Sequence, residues 1–372
     1  MAKKNSIKAI ITQPAEPVKQ EVSSFYNVPD SPATHLIYEV LEAGKDIAEL
    51  PARKRQINHN TNYEVLEAGN KRKILSKNGA ETAEIEIELD DIYKLTGSNK
   101  PAKKLLVLAL IKANEQAIHS GKLTKDYISF SLKELIDIGF YKTPQSARKG
   151  FNSGADALTS LKVRGTVKKT KKQAATIDRL EVLFTGANII KGQGQCYLYL
   201  NTRISWSFLA QYFTILPRYY FRLPNRASDL LYYIFYLARQ NTDKIERQHY
   251  FTISFRAIQH ELQLPSEKGL NNPQRDIKEA IEAAVVQIEN EHSNYYHNKE
   301  FSLELVYDEA ATISDYLDNG YLKIKFKETF AKVFIELYEK AAKKIEQSKK
   351  KQERIQAEAI TRATAKKLEN KE

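Results

Sequence analysis

The sequence predicts an α+β fold in which one helix–strand–helix–turn–helix–hairpin unit occurs twice, between a flexible N-terminal arm and a charged helical tail. Three observations predict it. Helical and strand periodicities alternate in the same order in two successive stretches, turn and capping signals punctuate both at matching places, and charge is segregated along the chain. The 372 residues leave room for about two domains of about 100–200 residues each. With 42% apolar and 28% charged residues the chain can bury real cores. The implied divisions are an arm over 1–80, units over 81–210 and 211–330, and a tail over 331–372.

The arm contains a repeat, Tyr38 to Gly44 (YEVLEAG) recurring as Tyr63 to Gly69 at an offset of 25. Two copies fall short of the roughly three units a solenoid needs. The repeat reads as a local duplication or, alternatively, as a partner-docking segment.

In the first unit, Glu84 to Leu89 (EIEIEL) alternates as a strand does, and Pro101 opens an apolar helix over Lys103 to Ser120. A short strand, Tyr127 to Phe130, leads into a helix whose Ser131 to Glu134 quartet reads as a capping box. Gly139 ends that helix. Thr143 and Pro144 then supply an N-cap and a first-turn proline for a helix running to about Leu161. Val163 to Lys169, Leu180 to Phe184 and Cys196 to Leu200 read as strands.

The second unit repeats the order, with a helix over Asn225 to Gln240, a strand over Tyr250 to Ser254 and a short helix over Phe255 to Leu262. After a turn over Pro265 to Asn271, Asn272 and Pro273 start a long helix to about Glu291. Strands over Phe301 to Tyr307 and Tyr321 to Phe326 follow, joined around Asn319 and Gly320. This is the order of a winged helix, so two tandem winged-helix domains are expected.

The net charge of +12, from 58 Lys+Arg against 46 Asp+Glu, favours an anionic polymer as partner, and its placement narrows the choice. Glu81 to Asp91 hold six acids and no base, whereas Lys142 to Arg179 hold ten bases against Asp156 and Asp178. Lys340 to Glu372 hold eleven bases and five acids without Gly or Pro, which reads as a projecting helix or a disordered tail.

On the helix from Pro144, Ala147, Phe151, Leu158 and Leu161 form an apolar face. Gln145, Arg148, Lys149 and Asn152 lie at i, i+3, i+4 and i+7 on another, with Ser146 beside them. Arg and Lys donate to guanine O6/N7, and Gln and Asn pair bidentately with adenine, so these are major-groove readers at the start of a recognition helix. A plain solvated face is the other reading. The adjacent hairpin offers Arg164, Lys168, Lys169, Lys171 and Lys172 to a phosphate backbone, or uses its lysines to block edge pairing. In the second unit Ile277, Ala280, Ile281, Ala284 and Ile288 form the core face. Gln274, Arg275 and Lys278 are the matching candidates there, diluted by Asp276, Glu279 and Glu282.

Aromatic residues gather between Tyr197 and Tyr236, among them Trp206, Phe208, Tyr212, Phe213, Tyr219, Tyr220 and Phe221. They read as core and inter-domain packing or, alternatively, as stacking partners for unpaired bases. Arg218, Arg222 and Arg226 border the cluster, within reach of backbone phosphates.

Catalytic signatures are missing. Cys196 is alone, which excludes an intrachain disulfide framework and a multi-cysteine zinc site. No P-loop string occurs, and Gly192 and Gly194 lack the third glycine of a dinucleotide site. His35, His59, His119, His249, His260, His292 and His297 never fall one or four residues apart. No metal, cofactor or enzymatic activity is therefore expected, and a nicking enzyme is the rival from that class. The start has no apolar signal core, and the longest apolar run, Leu105 to Ile111, is far below the roughly 18 residues of a membrane span. A cytoplasmic protein without membrane contact is expected.

The segments Arg218 to Leu223 (RYYFRL), Ala227 to Tyr236 (ASDLLYYIFY), Phe251 to Leu264 (FTISFRAIQHELQL), Arg275 to Ala284 (RDIKEAIEAA) and Ile288 to Asn290 resemble the initiator replication proteins of iteron-containing theta plasmids. With the order of elements, the resemblance covers residues 84 to 327. It implies two winged helices that bind repeated origin sites in double-stranded DNA, help open adjacent A·T-rich DNA and recruit host replication proteins. It also implies dimers that repress the initiator's own promoter. By position, Gln145, Arg148, Lys149 and Asn152 become first-unit groove contacts, and Gln274, Arg275 and Lys278 their second-unit equivalents. A winged-helix transcription regulator without an origin role is the alternative.

Overall fold

The computed structural model describes residues 25–31, 34, 37–38, 41, 55–56, 62–68, 71–78, 81–88, 100–120, 125–170, 173–190, 193–201, 212–262, 264–265, 270–296, 300–308 and 312–339. The N-terminal 24 residues, Lys171, Lys172, Trp206, Phe208 and the run over 340–372 lie outside the described residues. The fold mixes helices with small antiparallel sheets.

Helix α1 (Lys100–Ser120) is buried continuously from Ala102 to Ile111, as a helix without a polar face must be. It packs on α3 (Pro144–Ser160) and on β1 (Phe25–Asp30), so both of its sides are covered. Gly154 on α3 makes the first contact close, since a Cβ there would stand 3.0 Å from Leu105 Cδ2. Even Lys103 and Lys104 are buried, with Lys103 Nζ 3.2 Å from Asp229 and Lys104 Nζ donating to the Leu223 carbonyl.

Next come β6 (Tyr127–Ser131) and α2 (Leu132–Asp137), capped by the Ser131 hydroxyl, which accepts from Glu134 N at 2.9 Å. The other half of the expected box is replaced by an ion pair, Glu134 Oε1 to Lys112 Nζ at 2.7 Å. Gly139 turns the chain at φ +79 as α2 ends. After α3, β9 (Phe184–Ile190) and β10 (Gln195–Leu200) join β6 in a sheet of order β6-β10-β9.

The second half opens with α4 (Asn225–Gln240), followed by α5 (Thr242–Gln248), β12 (Tyr250–Ser254) and α6 (Phe255–Glu261). A π-helical turn over Gln274–Glu279 then runs into α7 (Ala280–Tyr295). Strands β13 (Phe301–Val306) and β14 (Tyr321–Phe326) close a sheet of order β12-β14-β13. In both sheets the strand preceding the helix pair lies beside the last strand, so the repeat read in sequence is also a repeat of topology.

Four expectations are corrected. First, the basic hairpin is not a free wing. Strands β7 (Lys162–Thr170) and β8 (Gln173–Val182) do pair, but β7 also pairs with β5 (Glu81–Glu88). The sheet continues through β4 (Lys71–Asn78) and β3 (Asn62–Ala68) to β2 (Arg55–Gln56). The acidic run therefore lies beside the basic one, with Arg164 in register opposite Glu86, and opposite charges favour such cross-strand pairing. Because β7 has a neighbour on each side, its lysines are not edge guards.

Second, the arm contributes strands and buried side chains to the fold. Strand β1 pairs antiparallel with β11 (Tyr212–Pro217), and Phe25 stacks on Phe330 at 5.4 Å and on Tyr296 at 5.9 Å. Asp30 is fully buried and accepts from Thr214 Oγ1 at 2.7 Å and Ser31 N at 2.8 Å. Burial pushes its carboxyl pKa up, opposed by the Arg239 charge. Third, Asn319 and Gly320 end a helix, α8 (Ile313–Asn319), inserted between β13 and β14, and do not form a two-residue hairpin turn. Fourth, the tail does not begin at 331, because residues 328–339 are helical and bury Phe330, Ala331 and Phe334 in the core.

Candidate nucleic-acid interface

Helix α3 is set up by its own first turn. Thr143, in extended backbone, accepts from Ser146 N at 3.2 Å while Ser146 Oγ accepts from Thr143 N at 3.1 Å, and Pro144 occupies the first helical position. Ala147, Phe151, Ala155 and Leu158 are buried, with the Phe151 ring 5.6 Å from that of Phe130. That burial turns the opposite face outward. Gln145, Arg148, Lys149 and Asn152 are all exposed on it.

The structure thus brings four of the five candidates on α3 together on one open face. No acid lies in the first turn, and the first one on this face is Asp156, a turn beyond Asn152. The partial positive charge of the helix N-terminus adds to the cations there. Ser146 plays a different part, because its hydroxyl is engaged by Thr143 in the cap and also donates to the Thr143 carbonyl at 2.8 Å. Lys142 is exposed in the preceding turn. Helical periodicity did not select it because it precedes the helix.

Behind this face the helix is closely packed. A Cβ on Gly150 would run into the Tyr141 ring, so the turn lies directly on the helix backbone. Cys196 is fully buried behind it, and burial pushes its thiol up to about 12 while the Arg148 charge acts in the other direction. At neutral pH that thiol stays protonated and unreactive.

The second-unit candidates are placed differently. Gln274 and Arg275 are exposed, but Arg275 Nε lies 3.0 Å from Asp276 Oδ1. Lys278 is half-buried, its Nζ 4.5 Å from the Tyr307 ring centre and 5.4 Å from that of Tyr316. Here Asp276 pairs with the first-turn arginine, and an aromatic pair takes up the third candidate. Arg164, Lys168 and Lys169 fall at positions along β7, and Lys171 and Lys172 lie outside the described residues. Among the described residues no three His, Cys, Asp or Glu side chains converge as a metal site would, and no helix is long and apolar enough to cross a membrane.

No protein-family model matches the sequence, and no curated protein matches it. Among solved structures the chain is similar to the Pi initiator protein in complex with iteron DNA, at 16% identity and a TM-score of 0.38, over 67% of this chain and 98% of that one. It is also similar to domains 2–3 of RctB, at 8% identity and a TM-score of 0.39, over 78% of this chain and 99% of that one.

Proposed function

We propose that the chain is a non-enzymatic, sequence-specific double-stranded DNA-binding protein that initiates replication of a plasmid or mobile element. Its two units, 81–210 and 211–330, are tandem winged helices that engage major-groove faces about one helical turn apart. It binds origin repeats in the cytoplasm, helps open the origin, represses its own promoter as a dimer, and meets host replication proteins there. The observation that carries the DNA-binding part is the open face of α3, where Gln145, Arg148, Lys149 and Asn152 stand exposed with no acid in the first turn. The four are base-reading side-chain types at the end of the helix that enters the groove. Lys168 and Lys169 add sequence-independent affinity through phosphate contacts.

The test starts from duplexes selected out of a random-sequence pool by the full chain. Recovery of a common site, and maintenance in a host of a plasmid carrying the gene with that site repeated, is the expected result. A common site that confers only promoter repression points to a transcription regulator. Failure to enrich any site, or nicking of supercoiled site-bearing DNA with a divalent metal, overturns the proposal.

A further inference from the structure

We infer that Arg218 and Arg222 form a phosphate clamp for duplex DNA at the joint between the two units, an inference that rests on the duplex-binding reading. Both belong to a short 3-10 helix, Arg218–Arg222, in which Tyr219, Tyr220 and Phe221 are at most 1% exposed. Leu223 follows at 2%, so four buried side chains anchor the segment and two guanidinium groups are left outside.

Each guanidinium is held in advance. Arg218 Cζ lies 5.5 Å from the Tyr26 ring centre and Arg222 Cζ 5.5 Å from that of Tyr295. The two rings are themselves fixed, Tyr26 edge-on to Phe221 at 5.6 Å and Tyr295 against Tyr296 at 5.0 Å. A guanidinium resting on a fixed ring has less rotamer freedom to lose on binding, and its planar fork matches two phosphate oxygens. Neither arginine is ion-paired among the described residues. The acid whose field reaches Tyr26 together with that of Arg218 is Glu134, and Lys112 already neutralises it at 2.7 Å.

The position points to DNA rather than to a small anion. The stem of Arg222 lies against Gly139, in the turn between α2 and α3, and Phe221 packs on Phe140 at 5.7 Å. On its other side Arg222 rests on Tyr295, at the end of α7. Arg222 therefore touches both the turn that precedes α3 and the C-terminal end of α7, with Arg218 at the other end of the same short helix, and the clamp takes the backbone of a duplex that spans the two units.

Salt dependence of binding to a mixed-sequence duplex of roughly 40 base pairs tests the clamp without knowledge of the site. Arg218→Gln with Arg222→Gln in the full chain lowers the slope of log affinity against log salt by roughly 1.8, two phosphates at about 0.9 each. Mixed-sequence and selected duplexes weaken by the same factor. Arg218→Lys with Arg222→Lys restores most of the slope, and Arg247→Gln, which removes an exposed cation on α5, leaves it at the wild-type value. Circular dichroism melting checks the fold of each variant. An unchanged slope in the double Gln variant, or equal losses with Gln and Lys, overturns the clamp and leaves the duplex reading standing. No binding of any duplex by the wild type at low salt overturns both.

Discussion

Arg148→Ala is the most direct probe of α3 as the reading helix. In the free protein the side chain is exposed on the outer face, so its removal creates no cavity and strands no buried partner. Alanine is also the better helix former, so the melting temperature should hold or rise slightly. All of the cost therefore appears in the complex. A bidentate contact to guanine is worth about 1–3 kcal/mol, or roughly 5- to 150-fold in affinity. The loss of one phosphate-range cation alone would weaken every duplex alike. The assay is competition binding of the selected duplex against single-base variants of it and against mixed sequence, at fixed salt. The expected result is a loss of roughly 5- to 150-fold on the selected site, a much smaller loss on mixed sequence, and relaxed discrimination at one base pair. Equal losses on selected and mixed duplexes would refute the assignment of Arg148 as a reader.

Three further outcomes follow from packing and burial. Gly150→Ala gains about 1 kcal/mol of helix propensity but drives a methyl into the Tyr141 ring, an overpacking cost of about 1–3 kcal/mol, so urea unfolding should show a net loss. Lys278→Ala, which removes a cation from the Tyr307 and Tyr316 rings, should cost about 0.5–2 kcal/mol of stability while changing DNA affinity far less than Arg148→Ala does. Burial lowers the Lys104 pKa to about 8, so between about pH 8 and its ordinary 10.5 the unfolded chain binds the extra proton and stability rises with pH. The rise is on the order of 3 kcal/mol, and Lys104→Met should flatten that part of a denaturation-against-pH profile.

Local signals made much of the fold legible. The helix Asn225–Gln240 and the strands Tyr250–Ser254 and Tyr321–Phe326 occur as their periodicity predicts, and the Thr143 cap begins α3 where expected. What stayed hidden was long-range pairing. The repeated YEVLEAG segment makes the reason plain, since Tyr38 and Leu41 of one copy are helical and buried while the other copy lies in strand β3. Identical local propensity took both forms because the neighbours differ, Tyr232 lying 4.9 Å from Tyr38 and β4 running along the second copy. The same holds for charge. Nothing local to Glu81 to Glu88 shows that the strand pairs with a basic one some eighty residues later, and that pairing determines how much of the hairpin's charge faces a partner. The α3 face was legible because its buried and exposed residues alternate within a single helix.

The asymmetry between the two helix-turn-helix elements carries a last prediction. Helix α3 presents four exposed candidate readers with no acid in its first turn, whereas Arg275 is tied to Asp276 at 3.0 Å and Lys278 rests on two tyrosines, leaving Gln274 as the candidate of the three without such a contact among the described residues. If each good bidentate contact contributes about 1–3 kcal/mol of discrimination, the first element should specify its bases far more strongly than the second. Selected sites should then show one sharply defined half and one loosely defined half, about a helical turn apart. The ion pair of exposed Arg275 with half-buried Asp276 has little stabilising value of its own, so Asp276→Asn should leave folding intact while releasing Arg275. Its signature is a gain in affinity together with new discrimination confined to the weak half. Equal base information in the two halves, or an Asp276→Asn variant that binds and discriminates as the wild type does, would show that ion pairing within the second helix does not limit what that helix reads.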